Sequence, residues 1–246
     1  TFMIDINFIS QYNNSPLISA YALAATFYMV FAYSWISSYN QAAPLYISQA
    51  SGAKDFDGCA RYFRRNLIII GITLIPLTMT LLLAGKLMSL FAVDEDLISI
   101  ATRFTKLSII PMIGFAFSDS LRAFVIGQKV FKPVLFIQLF NLLLHFICST
   151  ILIKNLKLGI IGAVLCKIIT EWTNLTVLYV YIKKSGSFIQ TWGSWDSHLF
   201  DTSKLWKQFK WSCSIGIIDT DKWRSIRFSI FWLTSLLLNK FLLKLP

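Results

Sequence analysis

The stretch PVLFIQLFNLLLHFICSTILI, residues 133–153, holds 21 residues between Lys132 and Lys154 without one Asp, Glu, Lys or Arg. At 1.5 Å per residue it is long enough to cross the roughly 30 Å hydrocarbon layer of a bilayer as a helix. Residues 66–85 form another uncharged run of 20, and residues 6–53 carry no charge at all. Hydrophobic residues make up 56% of the 246-residue chain and charged residues 14%, against roughly 25% charged in soluble domains. Buried helices of soluble proteins rarely hold uncharged runs of this length, so the composition implies an all-α, polytopic transmembrane bundle.

The same criterion predicts six spanning helices and one incomplete one. Residues 1–11 read as the tail of a first helix, with Asp5 near its start, followed by a polar turn at Asn13, Asn14, Ser15 and Pro16. Complete helices are predicted over 17–49, 66–91, 97–124, 133–153, 158–182 and 211–243, with a basic loop over 51–65 and a tight acidic loop at Asp94, Glu95 and Asp96. Pro76 is expected to bend its helix, because proline cannot donate the ladder hydrogen bond, and Pro111 lies inside another. The last helix is interrupted by Asp219, Asp221, Lys222, Arg224 and Arg227. The chain divides into a transmembrane lobe over 1–184, a cytoplasmic linker over 185–210 and the start of a divergent second lobe over 211–246. It begins at Thr1 without a secretory leader and has the look of a piece of a longer polypeptide.

The net charge of +11 would suggest nucleic acid in a soluble chain. Here the charge follows topology instead, and no nucleic-acid partner is expected. Residues 51–65, 122–132 and 183–210 contain four, three and five Lys or Arg, whereas the alternate loops hold Lys154 and Lys157, with Lys86 at a helix end. The positive-inside rule places the basic set in the cytoplasm. The four cysteines show no paired spacing, so neither a metal site nor a disulfide framework is expected.

Ionisable groups inside spans are costly and are functional candidates by default. Lys167 and Glu171 sit four apart and share a helix face, and a self-neutralising pair accounts for them simply. Arg103 and Lys106 lie where their long stems can reach the headgroups. Asp119 is three residues from Arg122, the spacing of a local ion pair. Gln138, Asn141, His145 and Ser149 form one polar stripe, either the lining of a cavity or hydrogen-bonding glue between helices.

In order and spacing, several motifs resemble the multidrug and toxic compound extrusion (MATE) family, closest to its eukaryotic members. Ser48-Gln49-Ala50-Ser51-Gly52-Ala53 resembles the Ser-Gln-Ala-x-Gly-Ala that ends the family's second helix, and Arg64 and Arg65 follow at the expected distance. Pro111, then Arg122 to Gln128, resembles its Arg-x-x-x-x-x-Gln signature, with Pro133 behind it. Leu158-Gly159-Ile160-Ile161-Gly162-Ala163 resembles the start of its sixth helix, and Trp206-Lys207-Gln208-Phe209 the approach to its seventh. The set covers residues 8–216. Its glycines are expected where helices approach closely.

The resemblance implies one lobe, from part of helix 1 through helix 7, of a two-lobed, twelve-helix transporter. It also implies an antiporter rather than an enzyme, with no cofactor. Such a protein would export organic cations or xenobiotics from the plasma membrane or an endomembrane in exchange for protons or sodium. Its partners would be membrane lipid, the cargo, the coupling ion, and a second lobe or second copy. Cargo contacts are then expected at Gln138, Asn141, His145, Asn40 and Gln41, and coupling groups at Asp119, Glu171, Asp219 and Asp221. Two departures stand out. Pro44 occupies the place where eukaryotic members carry Asp, and Lys222 and Arg227 flank Trp223 where acids are expected. A non-transporting subunit or remnant is the rival these departures favour, and a lipid-linked sugar flippase is a further one.

Overall fold

A computed structural model describes residues 1–11, 15–90, 95–192, 199 and 201–214. These residues form helices α1 (Phe2–Ser10), α2 (Ser15–Tyr28), α3 (Ser34–Gly52), α4 (Phe56–Leu82), α5 (Ala84–Ser89), α6 (Glu95–Leu107), α7 (Ile109–Gly127), α8 (Lys132–Ser149), α9 (Gly159–Lys184) and α10 (Ile189–Trp192). A further helix covers 202–214. A π-helical turn over Met29–Tyr33 joins α2 to α3 without interrupting the rod, and a second over Thr150–Asn155 extends α8. Among the described residues, five helices are long and apolar enough to cross a membrane: Pro16–Gly52, Phe56–Leu82, Ile109–Gly127, Lys132–Asn155 and Gly159–Lys184. The chain is an integral, multi-pass membrane protein.

Several expected boundaries move, each for a local reason. The loop predicted over 51–65 is a tight turn, and α4 starts ten residues before Asn66. Asp55 caps it: its carboxylate accepts the Gly58 N–H at 2.8 Å. Arg64 and Arg65 are therefore buried helical residues rather than loop residues. The helix predicted over 66–91 ends at Leu82 and is followed by the short α5. The segment predicted as one helix over 97–124 is two, parting at Ser108. Pro111 explains the break, since it supplies no N–H to the carbonyl of Leu107, the last residue of α6. Glu95 and Asp96, expected in an acidic loop, form the first turn of α6, where carboxylates favour the positive helix end. Of the stretch expected as linker, α10 and residues 202–210 are helical.

Burial separates the centre of the bundle from its rim. In α7, 61% of the most apolar window is buried, against 17% in the span that contains α8. α7 is enclosed by α3, α4 and α9. α8 turns Leu135, Phe136, Leu139, Phe140, Leu143 and Phe146 outward, an apolar face suited to lipid tails and out of place in water.

The motif glycines do different work. Gly127 sits where α7 meets α3, and an added Cβ would lie 2.7 Å from Ile47 Cβ and 3.2 Å from Pro44 Cα. Gly159 starts α9 at φ +55°, a conformation glycine adopts freely. Gly52, expected to allow close helix approach, has nothing within 4 Å of its would-be Cβ.

Candidate functional site

Asp5 lies at the junction of four helices. α1 carries it inward until it is fully buried. Tyr21 of α2 donates its hydroxyl to Asp5 Oδ2 at 3.0 Å. His145 of α8 places Nε2 2.9 Å from Oδ1, and Ser149, one turn further, donates to the same oxygen at 3.3 Å. Lys167 of α9 brings its ammonium to 3.8 Å from Oδ2. A carboxylate at Asp5 can accept all of these contacts when His145 carries a proton on Nε2. His145 Nδ1 lies 3.4 Å from the Thr170 hydroxyl, which itself donates to the Cys166 carbonyl at 2.8 Å. Removing a carboxylate from water costs several kcal/mol, and surrounding donors must offset it.

This arrangement corrects one expectation and favours one of the two readings left open for another. Lys167 does not neutralise Glu171 directly: the carboxylate within 4 Å of its ammonium is Asp5. The ammonium also lies 5.3 Å from the Phe104 ring centre, 5.7 Å from that of Tyr21 and 5.9 Å from that of Tyr28, contacts that favour a cation. The polar stripe of α8 points into the bundle: His145 and Ser149 meet Asp5, and Gln138 donates to Asn174 Oδ1 at 3.3 Å. Asn141 is buried, with its Oδ1 unpartnered.

Beside this cluster opens a cavity of about 510 Å³. Aromatic side chains Tyr28, Tyr33 and Phe115 line it, with Ser34, Ser37 and Gln41 adding hydroxyl and amide groups. Its charged wall is Lys167 and Glu171. Of the five predicted cargo contacts, Gln41 faces the cavity. Gln138, Asn141 and His145 are absent from its wall, as is Asn40, which accepts from Asn66 and Ser120, each at 2.9 Å. Lys167 therefore belongs to both places, touching Asp5 and lining the cavity.

The remaining candidates sit elsewhere. Asp119 pairs with Arg122 through Oδ1, with the Nε contact at 2.8 Å, while its Oδ2 is buried without a partner. Gln128 accepts the Thr191 hydroxyl at 3.0 Å and so ties α10 to the end of α7. Ser48 bonds its own helix at Leu45 O, Ala50 is buried, and Gln49 and Ala53 are exposed. Gly162 abuts the Leu152 carbonyl, 3.0 Å from a would-be Cβ. Asp219 and Asp221 lie outside the described residues. Sequence reasoning missed Asp5 and Tyr21. Asp5 is the one charge ahead of a 48-residue neutral stretch, and a carboxylate in an apolar helix was the available signal.

Known proteins agree with this architecture. The MatE family model matches residues 1–151. Protein DETOXIFICATION 49 of Arabidopsis thaliana is 27% identical over 198 residues, covering 80% of this chain and 39% of the relative. Protein DETOXIFICATION 16 of the same plant is 25% identical over 190 residues, covering 77% and 39%. The crystal structure of the eukaryotic MATE transporter AtDTX14 superposes with a TM-score of 0.81 at 22% identity, over 87% of this chain and 47% of that one. The chain thus spans about two fifths of the length of the curated relatives it matches. With its bundle of apolar helices and a family match over more than half its length, the chain belongs to the MatE family of transporters.

Proposed function

We propose that this chain builds the first lobe of a secondary antiporter that moves an organic cation across a membrane against a flow of protons. The observation that carries the reading is the double position of Lys167, in contact with Asp5 and in the cavity wall beside Glu171. While Asp5 is ionised it holds Lys167, and the Glu171 carboxylate gives the aromatic cavity a negative charge that attracts a cation. When Asp5 takes a proton, Lys167 loses its ion partner. The nearest acid along α9 is then Glu171, one turn away. Neutralising Glu171 weakens the hold on a cationic cargo. Proton and cargo thus oppose each other, which is the thermodynamic requirement for exchange.

A proton suits the site better than sodium. Asp5 is already surrounded by the donors of Tyr21, His145, Ser149 and Lys167, whereas a bound metal cation needs a shell of acceptor oxygens. The cavity would face a second lobe across the bilayer midplane, with the two lobes rocking about it.

The test is cationic dye efflux from vesicles containing the protein of the complete reading frame. Efflux should accelerate when a proton gradient is imposed. Identical flux with and without the gradient would remove the antiport reading.

A further inference from the structure

A second cavity, of about 380 Å³, lies between α6 and the start of α9, with Phe104 between it and the Tyr21 and Lys167 side chains of the Asp5 cluster. It opens on the outside of the bundle, because four of its apolar wall residues, Ile100, Leu107, Leu158 and Ile161, are themselves exposed. Leu17 and Phe104 complete a greasy trough. Its polar groups are Ser99, Arg103 and Lys157.

Position gives these groups meaning. Ser99, Arg103 and Leu107 repeat every four residues on α6 and share a face, so hydroxyl, cation and apolar floor follow one another along the helix. Lys157 arrives from the turn before α9 at φ +52°, and Gly159 follows at φ +55°. A lysine in the left-handed region costs roughly 1 kcal/mol or more. Neither Arg103 nor Lys157 has a carboxylate within 4 Å among the described residues. Two acids share this face of α6, Glu95 and Asp96, and both lie about two turns from Arg103, roughly 12 and 10 Å along the axis.

A trough of hydrocarbon with a hydroxyl and two cations that have no carboxylate partner within 4 Å among the described residues complements an amphiphile with an anionic head. We infer that this groove binds an anionic phospholipid. Its phosphate sits between Arg103 and Lys157, with the Ser99 hydroxyl donating to it, and an acyl chain lies over Ile100, Leu107 and Ile161. A zwitterionic lipid would bring its own cation towards Arg103 and Lys157 and is disfavoured. The headgroup lies in the leaflet opposite the one that borders the basic loops, so the site is distinct from general attraction of lysine-rich loops to an acidic surface.

The test is native mass spectrometry of the full chain released from nanodiscs of equimolar phosphatidylcholine and phosphatidylglycerol. Wild type should retain one phosphatidylglycerol in preference to phosphatidylcholine. Arg103→Gln with Lys157→Gln should lower that retention roughly tenfold, the size expected for two cation–headgroup contacts. Ile161→Trp, which fills the trough without changing charge, should lower it too. Lys106→Gln, an exposed cation of α6 outside the groove, should leave it unchanged. Inorganic phosphate at millimolar concentration should not displace the lipid. Equal retention of the two lipids by wild type, an equal loss in Lys106→Gln, or displacement by phosphate would each overturn the proposal. The lipid comparison in wild type decides the matter even if a variant fails to fold.

Discussion

Asp5 accepts hydrogen bonds from Tyr21, 16 positions away, and from His145 and Ser149, 140 and 144 positions away. Composition and spacing cannot reveal such a meeting, because nothing in the local sequence of α1 mentions α8 or α9. The near-neighbour pairing of Asp119 with Arg122 was legible, since three residues on a helix bring two side chains together whatever the fold. Lys167 shows the limit of that rule: Glu171 is its neighbour by spacing, yet tertiary packing gives it to Asp5. Replacing Asp5 by Leu leaves His145 and Lys167 without their acceptor, and the loss of a buried partner costs about 3–5 kcal/mol. A large fall in thermal midpoint, read by a thiol-reactive dye, is the expected outcome. A small gain is expected at Lys54, which follows α3 at φ +57°. Lys54→Gly should stabilise by about 1 kcal/mol, because glycine takes that conformation without the Cβ clash, and the same melting assay would detect it.

At the scale of elements, the long apolar runs were plain from composition, but their ends depended on single residues. Asp55 moves the start of α4 into a stretch whose four basic residues suggest a loop. The cap outweighs that suggestion, as arginines are good helix formers and the basic face can still reach the headgroups. Asp55→Ala should cost about 1 kcal/mol and raise hydrogen exchange at the first turn of α4, with no change at α8. Pro111, visible in the sequence, divides α6 from α7 through the one carbonyl it leaves unbonded. The packing of α7 on α3 rests on Gly127. Gly127→Ala places a methyl 2.7 Å from Ile47 Cβ and against the backbone of Pro44. Overpacking of this kind costs about 1–3 kcal/mol, so a lower melting temperature is expected.

For the whole molecule, alternation of charge along the chain predicted which loops share a side, and the helix order is consistent with it. The turns after α3 and α7 carry Lys54 and Lys129, and the last turn of α9 carries Lys183, to one end, while Lys157 stands at the other. Membrane-impermeant thiol labelling of Lys129→Cys and Lys157→Cys should therefore require opposite sides of sealed vesicles, and labelling of both from one side would reject the orientation. What alternation cannot supply is the relation between the buried carboxylate and the cavity, which arises where α1, α2, α8 and α9 converge. On the proposed function, that relation makes proton and cargo competitors. Adding a cationic dye to the full-length protein in weakly buffered detergent solution, with a pH indicator, measures the competition directly. Binding should release protons in the wild type and none in Asp5→Asn. Equal release by both proteins would contradict the coupling of Asp5 to the cavity through Lys167.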